Sequence, residues 1–469
     1  MNDPTAGPIG SKTFYLETFG CQMNQVDSEW MTCLLGQIGY QPVASPEQAD
    51  LILLNTCSVR DRAERKVYGH LGRCKPLKDR NPALILAVGG CVAQQEGEQL
   101  LRKVPYLDIV FGTHNVHRLP QLVQAVEQRR RRCCETAQYP GEARLEQFPR
   151  RLPAAGVTRF VTIMQGCDNF CSYCVVPYVR GREVSRRSAA VVAEVRELVA
   201  QGVREVTLLG QNVNSYGRKG CPDISFAELL EQVHAIAGLR RLRFTSSHPK
   251  DLSVELMDCF ARLERLCPHL HLAVQSGSDR VLQAMGRGYS RQQYIELVAQ
   301  LRQRCPQIRL TTDLIVGFPG ETAADFAQTL DLVEQVRFAD AFTFLYSPRP
   351  QIRALQLPDP VPAAEKQRWF DALLRQQKAI SSAILQQDVG RTQLVLVEGA
   401  SKRGAGQLFG RTPWNRIVNF TGPAALVGQE VAVRIDRSLN NSHLGRLAAA
   451  SDDQNAVALQ PPKELAACP

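Results

Sequence analysis

No stretch of the chain approaches the ~18 to 20 consecutive apolar residues of a membrane span, and the first eleven residues, MNDPTAGPIGS, lack the apolar core of a signal peptide. A cytoplasmic protein with no membrane contact is therefore expected. Glycine and proline, 33 and 27 of 469 residues, are no more frequent than in average globular proteins, which excludes collagenous and low-complexity classes. A hydrophobic content of 44% excludes a mostly disordered chain. Acidic residues are the minority, 46 against 56 Lys and Arg, so the net charge is +10 and polyanionic partners are favoured. At ~150 residues per domain the length predicts about three domains and rules out one small core.

Residues 12–128 alternate short apolar runs with helical stretches. FYLETF, LILLN, LILAV and LDIVF read as strands, which predicts a doubly wound parallel α/β domain. Residues 129–152, opening on RRRRCC, read as a linker. From 153 to 385 six more strand candidates (RFVTIM, EVTLL, RLRFT, LHLAV, RLTTDLIV and DAFTFLY) alternate with helices and predict a partial (β/α)6 barrel, closed off by a long helix over 363–387. Over 386–449 the period falls to two, which predicts a small antiparallel OB-like β-barrel. Eight cations against three acids between 390 and 449 place half the excess charge there. The tail 450–469 has neither periodicity nor apolar content and is expected to be disordered.

Fifteen cysteines are many for a cytosolic enzyme, where disulfides are disfavoured. Cys167, Cys171 and Cys174 form a C-x3-C-x2-C run directly after a strand. Three thiolates on one loop can hold three irons of a [4Fe-4S] cube and leave the fourth iron open. A structural zinc site wants a fourth Cys or His at ligand spacing, and none follows in the next turn. Cys21, Cys57 and Cys91 are dispersed, but each lies one to three residues past the carboxyl end of a strand. Those ends share one edge of a parallel sheet, so a second three-thiolate site is expected. The remaining nine, Cys33, Cys74, Cys133, Cys134, Cys221, Cys259, Cys267, Cys305 and Cys468, share no spacing and read as incidental thiols.

The C-x3-C-x2-C run at a barrel mouth resembles the fingerprint of radical S-adenosylmethionine (SAM) enzymes. With two cysteine triads and a basic barrel, the chain over about residues 12–449 resembles the methylthiotransferases of that superfamily, through ETFGCQMNQVDSE, LLNTCSVR, GGCVAQQ, GCDNFCSYCVVPYVRGREVSR, LLGQNVNSYG, FTSSHPKDL, TTDLIVGFPGET and GRTPWNRIVNF. Gln211-Asn212-Val213-Asn214 is similar to the tRNA branch, whereas the branch acting on a ribosomal protein usually reads Gln-Asp-Thr. Gln165 stands where the branch usually has Glu, Ala273 where Pro is usual, and Gln351-Ile352 where Gly-Thr is usual.

The resemblance implies methylthiolation of carbon 2 of N(6)-dimethylallyladenosine at tRNA position 37. It implies two [4Fe-4S] clusters, one held by the catalytic Cys167, Cys171 and Cys174 and an auxiliary one held by Cys21, Cys57 and Cys91, and two SAM per turnover. It places SAM contacts near Gly210, Gln211, Gln275, Ser276, Gly317 and Glu321; turn chemistry alone also accounts for the last two. An electron donor of flavodoxin or ferredoxin type and a sulfur or iron-sulfur carrier follow as partners. The C-terminal barrel resembles the TRAM domain, an RNA-binding module, with Phe409 and Trp414 as expected stacking surfaces; the alternative is a solvated basic face with Trp414 and Phe420 in a small core. Two rival readings remain: a methylthiotransferase for another modified adenosine or a protein side chain, and an RNA-binding iron-sulfur protein without chemistry.

Overall fold

The computed structural model of the chain describes residues 12–58, 61–129, 131–139, 156–218, 224–404 and 406–449. The tail expected to be disordered, and most of the expected linker, lie outside these residues.

The first sheet has six strands, all parallel, in the order β2-β1-β3-β4-β5-β6: β1 Thr13–Thr18, β2 Gln41–Pro42, β3 Leu51–Thr56, β4 Ile85–Gly90, β5 Ile109–Phe111 and β6 Cys133–Glu135. Alternation along β3 and β4 feeds two cores. Leu51, Leu53, Ile85 and Ala87 face one helical layer, and Ile52, Leu54, Leu86 and Val88 face the other. Burial on both faces is why these strands read as unbroken apolar runs.

The start of the expected linker is corrected here, because Cys133–Glu135 pairs with β5 as an edge strand. Its three residues carry no apolar run. Backbone pairing holds it, with Arg132 Nε donating to Leu107 O at 2.8 Å and Arg118 paired to Glu135.

Six parallel strands then form the open barrel: β7 Thr158–Thr162, β10 Glu205–Leu209, β11 Arg241–Phe244, β12 His269–His271, β13 Arg309–Val316 and β14 Asp340–Leu345. They pair as β7-β10-β11 and β12-β13-β14, and bridges Leu242 to Leu266 and Ser247 to Leu272 join the halves. Two short strands, β8 Met164–Gln165 and β9 Val184–Ser185, pair antiparallel and frame the loop carrying Cys167, Cys171 and Cys174. The helix Ala363–Gln386 covers β14 and stacks Trp369 on Phe326, centroids 5.4 Å apart.

The last unit is a closed five-stranded barrel of β15 Thr392–Ala400, β16 Gln407–Arg411, β17 Ile417–Thr421, β18 Glu430–Ser438 and β19 Ser442–Leu447, in the order β15-β16-β17-β19-β18. Closure depends on β19, and β17 and β19 run parallel, so the barrel is not wholly antiparallel. Val395, Val397, Leu408, Val418, Phe420, Val433 and Ile435 fill it.

This barrel is bolted to the base of the larger one. Arg241 and Arg243, both nearly fully buried, donate to Glu430, Leu394 O, Thr412 O and Pro413 O. The N-terminal domain docks along β7, where Met23, Val26, Phe160 and Leu209 pack together and Glu29 accepts a two-pronged bond from Arg159 at 3.1 and 2.8 Å.

Candidate iron-sulfur centres at a shared barrel mouth

Cys21 is the N-cap of the helix Gln22–Gln37, Cys57 follows β3, and Cys91 opens the helix Cys91–Glu96 immediately after β4. A buried polar network fixes these three loops. Asn24 Nδ2 donates to Thr56 O (2.9 Å) and Asn55 Oδ1 (3.2 Å); Asn55 Nδ2 returns a bond to Asn24 O (2.8 Å); Thr56 Oγ1 donates to Gly89 O (2.6 Å) and accepts from Val92 N (3.2 Å). Glycines allow the close approach. A Cβ on Gly20, at φ +120°, would stand 2.2 Å from Cys57 Cβ, and one on Gly90, at φ +92°, would stand 2.4 Å from Thr56 O.

A hydrogen bond with Cys57 holds the Cys21 thiol below the usual range, against its burial. Burial raises Cys91, while the charge of Arg180 pulls the other way.

The second triad sits on the loop between β8 and β9. Gly166, at φ +80°, leaves no room for a Cβ, which would lie 2.0 Å from Arg182 O. Asp168 accepts from Arg182 at 2.7 and 3.1 Å and from Glu183 N, closing the loop on itself. Ser172 bonds Met285 O and Ala284 O, tying the cysteines to the end of the helix Asp279–Met285. Burial pushes Cys167 up to about 11 and Cys174 up to about 12, the Cys171 thiol adding to both. These thiols bind iron only by releasing protons, so loading is pH-dependent.

Each set offers three thiols, as a four-iron cube requires when it spreads its thiolates over separate irons. None of the described cysteines is in a disulfide. Cys74, Cys259, Cys267 and Cys305 are core thiols raised by burial, and Cys221 and Cys468 lie outside the described residues.

The six residues expected near SAM fall at strand ends of one barrel rim. Gly210 follows β10 with Met164 Cγ 2.4 Å from where a Cβ would be, and Gln211 Oε1 accepts from Gly166 N at 2.5 Å. Gln275 holds φ +74° and bridges Leu314 of β13. Ser276 is fully buried, its hydroxyl accepting from Ser278 N and facing Thr329, so its side chain serves the protein. Glu321 is likewise turned inward: it accepts from Gly317 N (2.5 Å) and Phe318 N (3.2 Å), stapling the Gly317–Glu321 turn. Burial raises its carboxyl to about 7, against those two bonds.

Sequence reasoning missed the residues around the triads. Arg287, buried, reaches Cys171 Sγ at 3.5 Å, Tyr173 Oη at 3.4 Å and Ala273 O at 2.6 Å. His248 is held neutral by burial and by Arg287, and its Nε2 has no partner among the described residues. A single arginine or histidine carries no spacing signal. Asn212 and Asn214 are also buried, bonding Asp251 Oδ2 and His248 O, so they shape the rim.

The expected RNA surface changes. Trp414 Nε1 donates to Gln307 O at 2.8 Å and Arg309 covers its ring at 4.8 Å, so Trp414 is a domain junction rather than a stacking platform. Arg411, Arg416 and Arg446 pair with Glu398, Asp340 and Asp436. Arg391, Lys402, Arg403 and Arg437 are exposed and make no ion pair among the described residues, and Phe409 is half-buried.

Residues 13–112 match the uncharacterized protein family UPF0004, 161–333 the radical SAM superfamily and 386–448 the TRAM domain. The chain is 60% identical to the tRNA-2-methylthio-N(6)-dimethylallyladenosine synthase of Syntrophotalea carbinolica over 92% of this chain and 99% of that one. It is 55% identical to that of Geobacter sulfurreducens over 94% and 99%. Among solved structures, the radical SAM methyltransferase TsrM from Kitasatospora setae, with cobalamin and a [4Fe-4S] cluster bound, superposes with a TM-score of 0.56 over 85% of this chain and 81% of that one, at 16% identity. That likeness concerns the fold.

Proposed function

The chain belongs to the tRNA-2-methylthio-N(6)-dimethylallyladenosine synthases, radical SAM enzymes that transfer a sulfur-containing group, and from that membership we propose a role for each of its sites. It methylthiolates dimethylallyladenosine in tRNA with SAM and a [4Fe-4S] cluster. Position 37 is the target we assign.

Cys167, Cys171 and Cys174 hold the cluster to which SAM binds, and Cys21, Cys57 and Cys91 hold a second one. When bound, the first supplies the single electron that splits SAM into methionine and a 5′-deoxyadenosyl radical; hydrogen on an aromatic carbon is beyond acid-base catalysis. The residues of the chain build the surroundings. Gln211 and Asp168 fix the loop, Arg287 sets positive charge beside Cys171, and we place SAM along the rim that carries Gly210, Gln275 and Gly317. A second SAM provides the methyl group.

The observation that carries this reading is the junction at the end of β7: Met23 Sδ lies 3.8 Å from Thr162 Oγ1, and Arg180 reaches from the loop after Cys174 to Asp27. These contacts set the segment after Cys21 against the loop that carries the second triad, which supports two sites working together. A flavodoxin- or ferredoxin-type donor and a carrier that restores sulfur are the partners it requires. No helix among the described residues is long and apolar enough to cross a membrane, and we place the enzyme in the cytoplasm with its substrate.

The test separates the triads. Replacing Cys167, Cys171 and Cys174 by Ala should abolish 5′-deoxyadenosine. Replacing Cys21, Cys57 and Cys91 should halve the iron, from about eight per chain, and stop methylthio product while some SAM cleavage persists. Equal SAM cleavage by both variants would refute the assignment.

A further inference from the structure

The segment just after Cys174 is gripped by the N-terminal domain at three consecutive carbonyls. Gln138 Nε2 donates to Tyr178 O (2.6 Å), Thr113 Oγ1 to Val179 O (2.5 Å) and His114 Nε2 to Arg180 O (3.1 Å). These are carbonyls that the short helix Val176–Val179 leaves open at its C-terminus. His114 Nδ1 accepts from Tyr139 N at 3.1 Å, which fixes the imidazole as the Nε2–H tautomer. The backbone of Arg180 is thus held from both sides.

Its side chain leaves the barrel altogether. The guanidinium, 4% exposed, donates Nη2 to Asp27 Oδ2 at 2.8 Å, and Asp27 lies two turns along the helix that Cys21 caps. Cys91 shares a buried cluster with Val175 and Val179 of the same segment, and the charge of Arg180 favours the thiolates of both Cys91 and Cys21. A planar fork can serve a carboxylate with one edge and a thiolate with another, which an ammonium does less well.

We propose that Arg180, contributed by the radical SAM domain, is a positioning residue that raises the reduction potential of the cluster held by Cys21, Cys57 and Cys91, with Asp27 as its opposing partner. This rests on the assignment of a second cluster to those cysteines. Net charge and hydrogen bonds to ligand sulfur are the protein's main means of setting a cluster's potential. A buried cation stabilises the more negative, reduced state, and the neighbouring carboxylate opposes it. Arg180 stands only six residues beyond Cys174, so the potential of one site is tied to the loop that carries the other.

The experiment uses the full chain with Cys167, Cys171 and Cys174 replaced by Ala, leaving the N-terminal triad alone. About four irons per chain should load; no iron would overturn the second-cluster assignment itself. With iron bound, a mediator titration followed by electron paramagnetic resonance should show Arg180→Gln shifted negative. The reduced-to-oxidised ratio at fixed potential should fall about tenfold, or ~59 mV for a one-electron couple. Asp27→Asn should shift the other way. The near-isosteric neutral pair Asp27→Asn with Arg180→Gln, which leaves no lone buried charge, should fall between the two single variants. Potentials unchanged in both single variants, shifts of the same sign, or loss of iron from the neutral pair would each overturn the role of Arg180 in tuning.

Discussion

Gly20 is packed against Cys57 so tightly that a side chain on it would stand 2.2 Å from the cysteine Cβ and 2.8 Å from its Sγ. The neighbour of one ligand thereby sets the position of another. Because Gly20 also holds φ +120°, Gly20→Ala carries both a clash and backbone strain. It should lose about half of the iron and the methylthio product while still forming 5′-deoxyadenosine. Full iron content in this variant would show that the loop yields to the extra methyl.

The Glu321 carboxyl should make stability pH-dependent. Its folded pKa, about 7, lies above the ordinary carboxylate value. The folded state therefore holds a proton that the unfolded chain has already lost, and this contribution to stability disappears as pH rises from about 4.5 to 7. Glu321→Gln keeps an acceptor for Gly317 N without the charge. In SAM-free protein its stability relative to wild type should improve by roughly 2.5 kcal/mol between pH 5 and 8, read by urea unfolding.

Removing the C-terminal barrel would strand Arg241 without its acceptors and leave Arg243 only Glu205, so truncation near Gln387 tests folding more than RNA binding. Replacing the exposed Arg391, Lys402, Arg403 and Arg437 by Ala is the cleaner probe. At ~0.7 to 0.9 log units per phosphate contact for each tenfold rise in salt, the slope of tRNA affinity should flatten by up to about 3. Unchanged melting together with an unchanged slope would show these cations to be a solvated face.

Gln351 occupies φ +69°, in the left-handed region that favours glycine, and it is exposed. Gln351→Gly should stabilise the chain by roughly 1 kcal/mol, because a side chain in the left-handed region costs about that much. Thermal unfolding of the two proteins checks it.

The candidate cluster ligands follow from short-range rules in the sequence. The spacing of Cys167, Cys171 and Cys174 is local, and Cys21, Cys57 and Cys91 are set by strand periodicity plus the rule that parallel strands end on one edge. The three fold classes were legible for the same reason, since each depends on the period of apolar residues. Strands of two or three residues, such as Gln41–Pro42 and Cys133–Glu135, were not, because pairing with a neighbour creates them and no period of their own announces them. Charge misled in the C-terminal barrel: a count of cations cannot tell Lys402, exposed to solvent, from Arg416, spent on Asp340 and Ala339 O. Trp414 was misjudged likewise, as its partner Gln307 lies 107 residues away. The sequence by itself determined the chemistry, because thiol spacing and strand ends are properties of the chain read in order. The tertiary structure alone decided that Arg180 meets Asp27 across 153 residues, because a buried ion pair between domains exists only once both surfaces have been desolvated together.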